Sequence, residues 1–341
     1  MKNRNCVMAG VLVVACLACS CATGSLESAA LVLGKSSEAP VFLSCKAVTE
    51  KEIHFEFSRP VTVTALHFSP MIRLEAVEGG STVRVSFSDK LGPGERITAD
   101  LLAEDDDGNT INVLVPLRAR NNRLPRLCIN ELRTEYSNSS SSGNYRCEFV
   151  EFKTFSTGNL GALRLFVAGN YKAPMVYEFP PAEVQSGEYI VLHLRTADAS
   201  SRDELGSNLR ESGGPEASPT ARDLWVPGTT KLLHKTDAVY LLDQDDGVVD
   251  AVMLSEKPDT WWGKDYFVEA AEFLFGAGAW KSRDGTLCSP AEAMLSGSTT
   301  ATRTICRDET LAGNSGTAAD WYITVNSGMT PGGQNNPRRY N

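Results

Sequence analysis

Residue types able to do chemistry are few in this chain, and they are scattered. Glu131, Glu148 and Glu151 come nearest to a paired-carboxylate acid and base. In a regular strand Glu148 and Glu151 point to opposite faces, so their spacing does not indicate a pair of the glycoside-hydrolysing kind. They are expected to ring a sheet edge or to meet arginines such as Arg133 and Arg164. His54, His67, His193 and His234 lie in strand-like stretches, and none has an Asp or Cys at a recognised catalytic spacing. There is no GxSxG elbow, no HExxH and no GxxxxGK[ST] phosphate loop. A triad assembled from distant residues leaves no local signature. The expected assignment is therefore non-enzymatic, with no catalytic residue and no cofactor. The turns Glu104–Asn109 and Asp243–Gly247 present Asp105, Asp107, Asp243 and Asp245 as weak calcium-ligand candidates. A full calcium loop needs a glutamate at its twelfth place, where this chain has Pro116 and Leu254. Asp and Gly are also ordinary hairpin-turn residues, and no metal is the expectation.

The cysteines divide into two groups. Cys6, Cys16, Cys19 and Cys21 fall in the first two dozen residues, where Lys2 and Arg4 precede an uncharged apolar run from Cys6 to Ala18. A basic start, an apolar segment too short to span a bilayer and small residues before a cysteine describe a secretory signal. This segment resembles a bacterial lipoprotein signal. Val13-Val14-Ala15-Cys16 is the closest match to the lipobox, and Ala18-Cys19-Ser20-Cys21 behind Leu17 is a looser rival. The resemblance implies cleavage and acylation at Cys16, with Cys19 and Cys21 as alternatives. An export compartment permits disulfides among Cys45, Cys128, Cys147, Cys288 and Cys306. Five is odd, so at least one is unpaired. Cys288–Cys306 is the expected disulfide, and Cys128 and Cys147 form a second possible pair. For Cys45 a buried apolar role is expected.

Composition narrows the classes. The 341 residues are 42% hydrophobic and 22% charged, ordinary values for globular protein. The formal charge is −9 and becomes more negative once Lys2 and Arg4 leave with the signal. Such a surface repels phosphate backbones, so nucleic acid is not an expected partner. No later apolar run reaches transmembrane length, so a membrane address rests on lipid.

Residues 1–21 are read as signal and 22–39 as a small-residue tether. From Val41 the texture changes to alternation. Ile53, Phe55 and Phe57 share one face of a strand, as do Val83, Val85 and Phe87 of another. Gly79-Gly80, Gly92-Pro93-Gly94 and Asp107-Gly108-Asn109 separate such runs. Phe57-Ser-Arg-Pro-Val61, Leu91-Gly-Pro-Gly94 and Asp106-Asp-Gly-Asn109 make residues 40–118 resemble a bacterial immunoglobulin-like domain. Such domains are usually spacers or adhesive modules. Residues 119–126 read as a basic linker that includes Arg120, Arg123 and Arg126, which is expected to be solvated.

Residues 127–336 carry a second pattern, with 337–341 as a tail. Ile129-Asn-Glu-Leu132, Glu148-Phe-Val-Glu-Phe152, Asn159-Leu-Gly-Ala-Leu-Arg-Leu165, Tyr177-Glu-Phe-Pro-Pro181 and Gly187-Glu-Tyr-Ile-Val-Leu192 follow in order. Asp237 to Asp243, Gly247-Val-Val-Asp250, Trp321 and Thr330-Pro-Gly-Gly-Gln-Asn335 close the series. Together they resemble the lamin-tail domain, an immunoglobulin-like sandwich. Two insertions depart from that pattern. Residues 196–230 are polar and expected on the surface. Residues 259–280 hold Trp261, Trp262, Tyr266 and Trp280, an aromatic group read either as a partner surface or as an accessory core. Within it Phe267, Ala270, Ala271 and Leu274 have helical spacing.

The expected molecule is all-β, with two immunoglobulin-like sandwiches in series, the second carrying long loops and a short helix. The resemblances imply a lipid-anchored protein of the cell membrane or outer membrane, with a binding or structural role toward an unknown protein or envelope ligand. An envelope hydrolase and a calcium-dependent adhesin are the alternatives.

Overall fold

The structure, a computed structural model, describes residues 38–139, 144–168, 175–196, 199–311 and 313–341. Cys16, Cys19, Cys21 and nearly all of the expected tether lie outside the described residues. The chain forms two compact units, the first ending at Ala119 and the second running from Arg120, with residues 92–95 grouped with the second. Both are built of strands, as the alternation requires.

The first unit contains β1 (Phe42–Thr49), β2 (Glu52–Ser69), β3 (Leu74–Glu78), β4 (Gly80–Phe87), β5 (Arg96–Glu104) and β6 (Thr110–Arg118). Its organising element is the 18-residue β2. The first half of β2 pairs with β1 and β4, and the second half pairs with β5, which pairs with β6. The register with β4 breaks between Glu56 and Val61, where Pro60 has no N–H to give. One strand thereby serves two layers. Ile53, Phe55 and Phe57 meet Val83, Val85, Phe87, Ile97 and Leu101 in the core between them. The alternation read from the sequence is the alternation of burial.

The second unit contains β7 (Leu127–Arg133), β8 (Ser137–Ser139), β9 (Asn144–Arg146), β10 (Phe149–Thr154), β11 (Gly158–Asn159), β12 (Arg164–Val167) and β13 (Met175–Glu178). It continues with β14 (Glu183–Val184), β15 (Tyr189–His193), β16 (Ala221–Trp225), β17 (Asp237–Leu242) and β18 (Val248–Ser255). Helix α1 (Asp265–Gly276), β19 (Met294–Leu295), β20 (Ile305–Arg307) and β21 (Trp321–Ile323) complete it. One sheet runs β16-β15-β10-β7-β20-β21, and another runs β13-β12-β17-β18-β19. Ile129, Val150, Phe152, Ile190 and Leu192 of the first sheet share an apolar core with Leu165, Val239, Leu241, Val252 and Leu254 of the second.

Among the described residues two pairings are parallel, β15 with β16 and β18 with β19. A parallel neighbour needs a crossover of a dozen residues or more. Each insertion is such a crossover. The 196–230 stretch therefore departs from the surface-loop expectation: it carries β16, whose five residues are all buried. Its polarity misleads because Arg222 reaches the Glu188 carboxylate at 2.8 Å and Asp223 reaches His193. In the other insertion, the expected helical face of Phe267, Ala270, Ala271 and Leu274 is the buried face of α1. It joins the main core.

The basic stretch at 119–126 is also not a solvated linker. Asn121 is buried and donates to the carbonyls of Asn159 (2.8 Å) and Gly161 (2.7 Å). Arg120 forks onto both oxygens of Asp245 at 3.2 and 2.9 Å. Such a bidentate pair fixes backbone direction as well as charge. Core density in the first unit is testable: Phe55→Ala should lower its stability by about 3–5 kcal/mol in urea unfolding, the usual cost of emptying a fully buried aromatic site.

Candidate functional site

The outer face of the six-stranded sheet carries an unusual load of buried polar groups. An antiparallel sheet ordinarily turns such a face to water. Here Asn130, Glu131, Arg133, Glu151, His193 and Asp223 are all buried.

Its centre is a carboxylate pair. Glu151 of β10 stands opposite Glu131 of β7, and the register shifts immediately afterwards, so that Phe152 faces Ile129. The extra residue in β7 is a bulge, which re-aims side chains. Asn130 Nδ2 donates to Glu151 Oε1 at 2.8 Å, and the Gly332 N–H donates to Glu151 Oε2 at 2.6 Å. Glu131 accepts from the Thr304 hydroxyl and from the Thr330 N–H at 3.2 Å. Asn335 Nδ2 donates to the Asn130 and Arg307 carbonyls at 3.0 and 2.9 Å. Gly332 has φ +82°, and a Cβ there would lie 2.2 Å from Ser218 Oγ, so only glycine fits. Burial pushes both glutamates upward in pKa, and for Glu151 the neighbouring Glu131 charge adds to the push. The expectation that these glutamates meet arginines holds for Glu148, though with Arg195 in place of the two arginines named, Arg133 and Arg164. Arg133 pairs with Glu216, Arg164 with Asp246, and Glu148 takes a bidentate pair from Arg195 at 2.7 and 2.6 Å.

A second constellation lies farther along the same face. Cys147 Sγ is 3.3 Å from His193 Nδ1, and His193 Nε2 is 2.7 Å from Asp223 Oδ1. The sheet explains the meeting. Phe149 faces His193 across β10 and β15, and His193 faces Trp225 across β15 and β16, with Asp223 two residues away. The imidazole stacks on Trp225 at 3.8 Å. Thiol, imidazole and carboxylate in this order are the parts of an activated nucleophile. Yet Cys147, His193 and Asp223 are 0%, 1% and 1% exposed. Burial, reinforced by the Glu216 and Glu148 charges, pushes the Cys147 thiol up to about 12. In this conformation the sulfur is a protonated, closed group. Sequence spacing had no means of finding it, because 147, 193 and 223 are joined only by strand pairing.

A more open feature is a cleft of about 650 Å³ lined by Glu135, Lys231, Lys235, Trp262, Lys264 and Tyr266, among others. The aromatic group, read from the sequence either as a partner surface or as an accessory core, divides. Trp262 (8% exposed) and Trp280 (1%) are core, Tyr266 is half-buried and Trp261 (63%) faces solvent. Trp262 Nε1 donates to the Cys288 carbonyl at 3.0 Å, which fixes the indole inward.

The expected Cys288–Cys306 disulfide is absent, and the five described cysteines are free. Cys288 belongs to the apolar core, whereas Cys306 pairs in register with Glu131 on β7. Cys128 and Cys147 do not pair either. Cys128 stands opposite Lys153 and Cys147 precedes Phe149, which stands opposite Arg133, so the two sit at opposite ends of the β7–β10 ladder.

The acidic turns spend their oxygens on the chain itself. Asp105 Oδ1 accepts from the Asp107 and Asn109 N–H groups at 3.0 and 2.9 Å. Asp243 Oδ1 accepts from those of Asp245 and Gly247 at 2.8 and 2.9 Å. Burial works to raise the Asp105 pKa, but the hydrogen bonds from Asn109 and Asp107 and the charge of Arg59 together hold it below the ordinary value. Asp245 faces Arg120. Among the described residues no group of three or more His, Cys, Asp or Glu side chains is placed to hold a metal ion.

Residues 125–323, more than half of the chain, match the family model described as "TP_1001_2nd: protein second domain". The chain belongs to the TP_1001_2nd family. Its family region contains both constellations, except for the closing segment from Thr324 onward. A curated protein of Treponema pallidum (strain Nichols), called "Uncharacterized protein", is 28% identical over 211 residues, 58% of this chain. The chain spans about half (51%) of that relative's length. Two solved structures share limited likeness with this TP_1001_2nd protein. The N-terminal part of the bacterial S-layer protein SbsC is 15% identical, with 42% of this chain and 38% of that one covered, at a TM-score of 0.24. A DUF4876 family protein from Bacteroides thetaiotaomicron VPI-5482 is 13% identical, with 80% and 88% covered, at 0.29.

Two measurements check the electrostatics. Because the folded chain holds protons at Glu151 that the unfolded chain has released, stability should fall as pH rises from the ordinary 4.5 through the raised folded value. The slope is roughly 1.4 kcal/mol per pH unit for each such proton, and thermal melts of Glu151→Gln should show a shallower decline. Cys147 should resist iodoacetamide at pH 8 in the native protein and react fully in denaturant, as peptide mapping would reveal.

Proposed function

We propose that this TP_1001_2nd protein is an exported, lipid-anchored protein of the cell envelope, whose second domain is displayed for contact with a partner and whose resting form is non-enzymatic. Acylation at Cys16, with Cys19 or Cys21 as alternatives, supplies the anchor, since two or three acyl chains give stable attachment. Among the described residues no helix is long and apolar enough to cross a membrane. The first unit acts as a spacer in this reading, and the second has the lamin-tail character suggested by its motifs. That assignment is supported by their convergence: Asn130, Glu131, Glu151, Thr330, Gly332 and Asn335 join in one buried hydrogen-bond cluster.

The observation that carries the binding role is the open cleft beside α1. Its volume suits a small ligand or a protruding side chain. Lys231, Lys235 and Lys264 rim it, Trp262 and Tyr266 line it, and exposed Trp261 adjoins it in sequence. Aromatic side chains supply a disproportionate share of contact energy at interfaces. The thiol constellation, by contrast, is shut off from solvent.

Mass spectrometry of the mature N-terminus, combined with fractionation of intact cells, tests the address. The expected result is a diacyl or triacyl cysteine at position 16, 19 or 21 in the membrane fraction. A full-length, unprocessed chain in the cytosol would overturn the proposal.

A further inference from the structure

The closed thiol has a feature that a purely structural cysteine does not need. Glu216, in the segment that precedes β16, places Oε2 3.1 Å from the Cys147 N–H and 2.6 Å from Arg133 Nη1. Two donors, one of them the backbone amide of the thiol residue itself, converge on a single oxygen. That is how an oxyanion site is built for acyl transfer, with donors set near 2.7–3.1 Å from the developing charge. Arg133 is fully buried, and its Nε has no hydrogen-bond partner. Glu216 holds this position with φ +69°, a left-handed backbone that non-glycine residues seldom adopt and that concentrates at functional sites. Asp223 accepts from His193 Nε2, which leaves Nδ1 as the acceptor facing the sulfur.

We propose that Cys147, His193 and Arg133 form a latent acyl-transfer site for an ester or amide carbonyl, held shut by the Glu216 carboxylate in the place of the substrate oxygen. This goes beyond the display role, which concerns the resting form and a different surface. When the segment around Glu216 lifts, a substrate carbonyl oxygen takes the place of Glu216 Oε2 between the Cys147 amide and Arg133. Cys147 Sγ passes its proton to His193 Nδ1 as the sulfur–carbon bond forms, and the carbonyl π electrons move onto oxygen. Collapse of that intermediate expels the alcohol or amine, which leaves with the proton from His193. Water, giving a proton to the same nitrogen, then cleaves the thioester, releases the acid and restores the thiol. Asp223 is a positioning residue that holds the ring.

The test uses p-nitrophenyl acetate with the full mature chain. Glu216→Gly removes the carboxylate and tolerates the backbone angle. It should raise hydrolysis at least tenfold over wild type, with an acetyl group found on Cys147 by peptide mapping. Cys147→Ser in that background should abolish the gain. His193→Gln should cut it by about 10²–10⁴, the usual contribution of a positioned base, and Asp223→Asn should alter the pH profile. Wild-type protein nicked by trypsin at exposed Arg210 gives a second route to the open form, with the same adduct expected. A folded Glu216→Gly chain and a nicked chain that both leave Cys147 unacylated would overturn the proposal. So would acylation indifferent to His193, or a pH profile unmoved by Asp223→Asn.

Discussion

Two buried carboxylates facing each other across β7 and β10 set the conditions for everything around them. Glu131 and Glu151 take their hydrogen bonds from neutral donors: the amides of Thr330 and Gly332, the Asn130 side chain and the Thr304 hydroxyl, with the charge of Arg133 acting on Glu131 from nearby. A buried polar group without partners is costly, and two like charges side by side are costlier still. The arrangement therefore requires the chain beyond β21 to return across the sheet and present its backbone there. The closing Thr-Pro-Gly-Gly segment answers that requirement. Gly332 is also the point at which the returning chain touches the crossover to β16, through its carbonyl and the Thr220 hydroxyl at 2.9 Å.

The same cover explains why a catalytic-looking constellation can be silent. Once the outer face of the sheet is roofed, any polar residues on it are forced into mutual pairing. His193 finds Asp223 and Cys147, Arg133 finds Glu216, and Arg195 finds Glu148. Pairing of this kind is a structural solution first. What distinguishes the thiol corner is the strained backbone of Glu216 and the unsatisfied Nε of Arg133. Neither is demanded by packing alone. Glu309, which accepts from Lys153 of β10 through Oε1, likewise leaves a buried Oε2 without a partner.

The two proposals fall on different parts of the second unit. The cleft beside α1 is open and mixed in character, suited to contact. The thiol corner of the sheet face is buried, suited to chemistry only after a rearrangement. The first unit is simpler: its one long strand turns a corner at Pro60 and closes an apolar core with few buried polar groups.

Period-two alternation determined the inward residues of two strands of the first unit, Ile53, Phe55 and Phe57 in β2 and Val83, Val85 and Phe87 in β4, because side-chain direction in a strand depends only on position. The face of α1 was equally legible, since 3.6-residue spacing names Phe267, Ala270, Ala271 and Leu274 without outside help. The motifs from Ile129 to Asn335 include Asn130, Glu131, Glu151, Thr330, Gly332 and Asn335, but their order does not say that these residues touch. What tertiary structure alone decided was every contact made across strands or across a crossover. The bulge at Glu131, the parallel placement of β16, the inward turn of Trp262 and Trp280, and the meeting of residues 147, 193 and 223 all belong there. Polar residues such as Arg222 and Asp223 read as surface in one dimension because burial of charge depends on a partner, and a partner distant along the chain is supplied only by the fold.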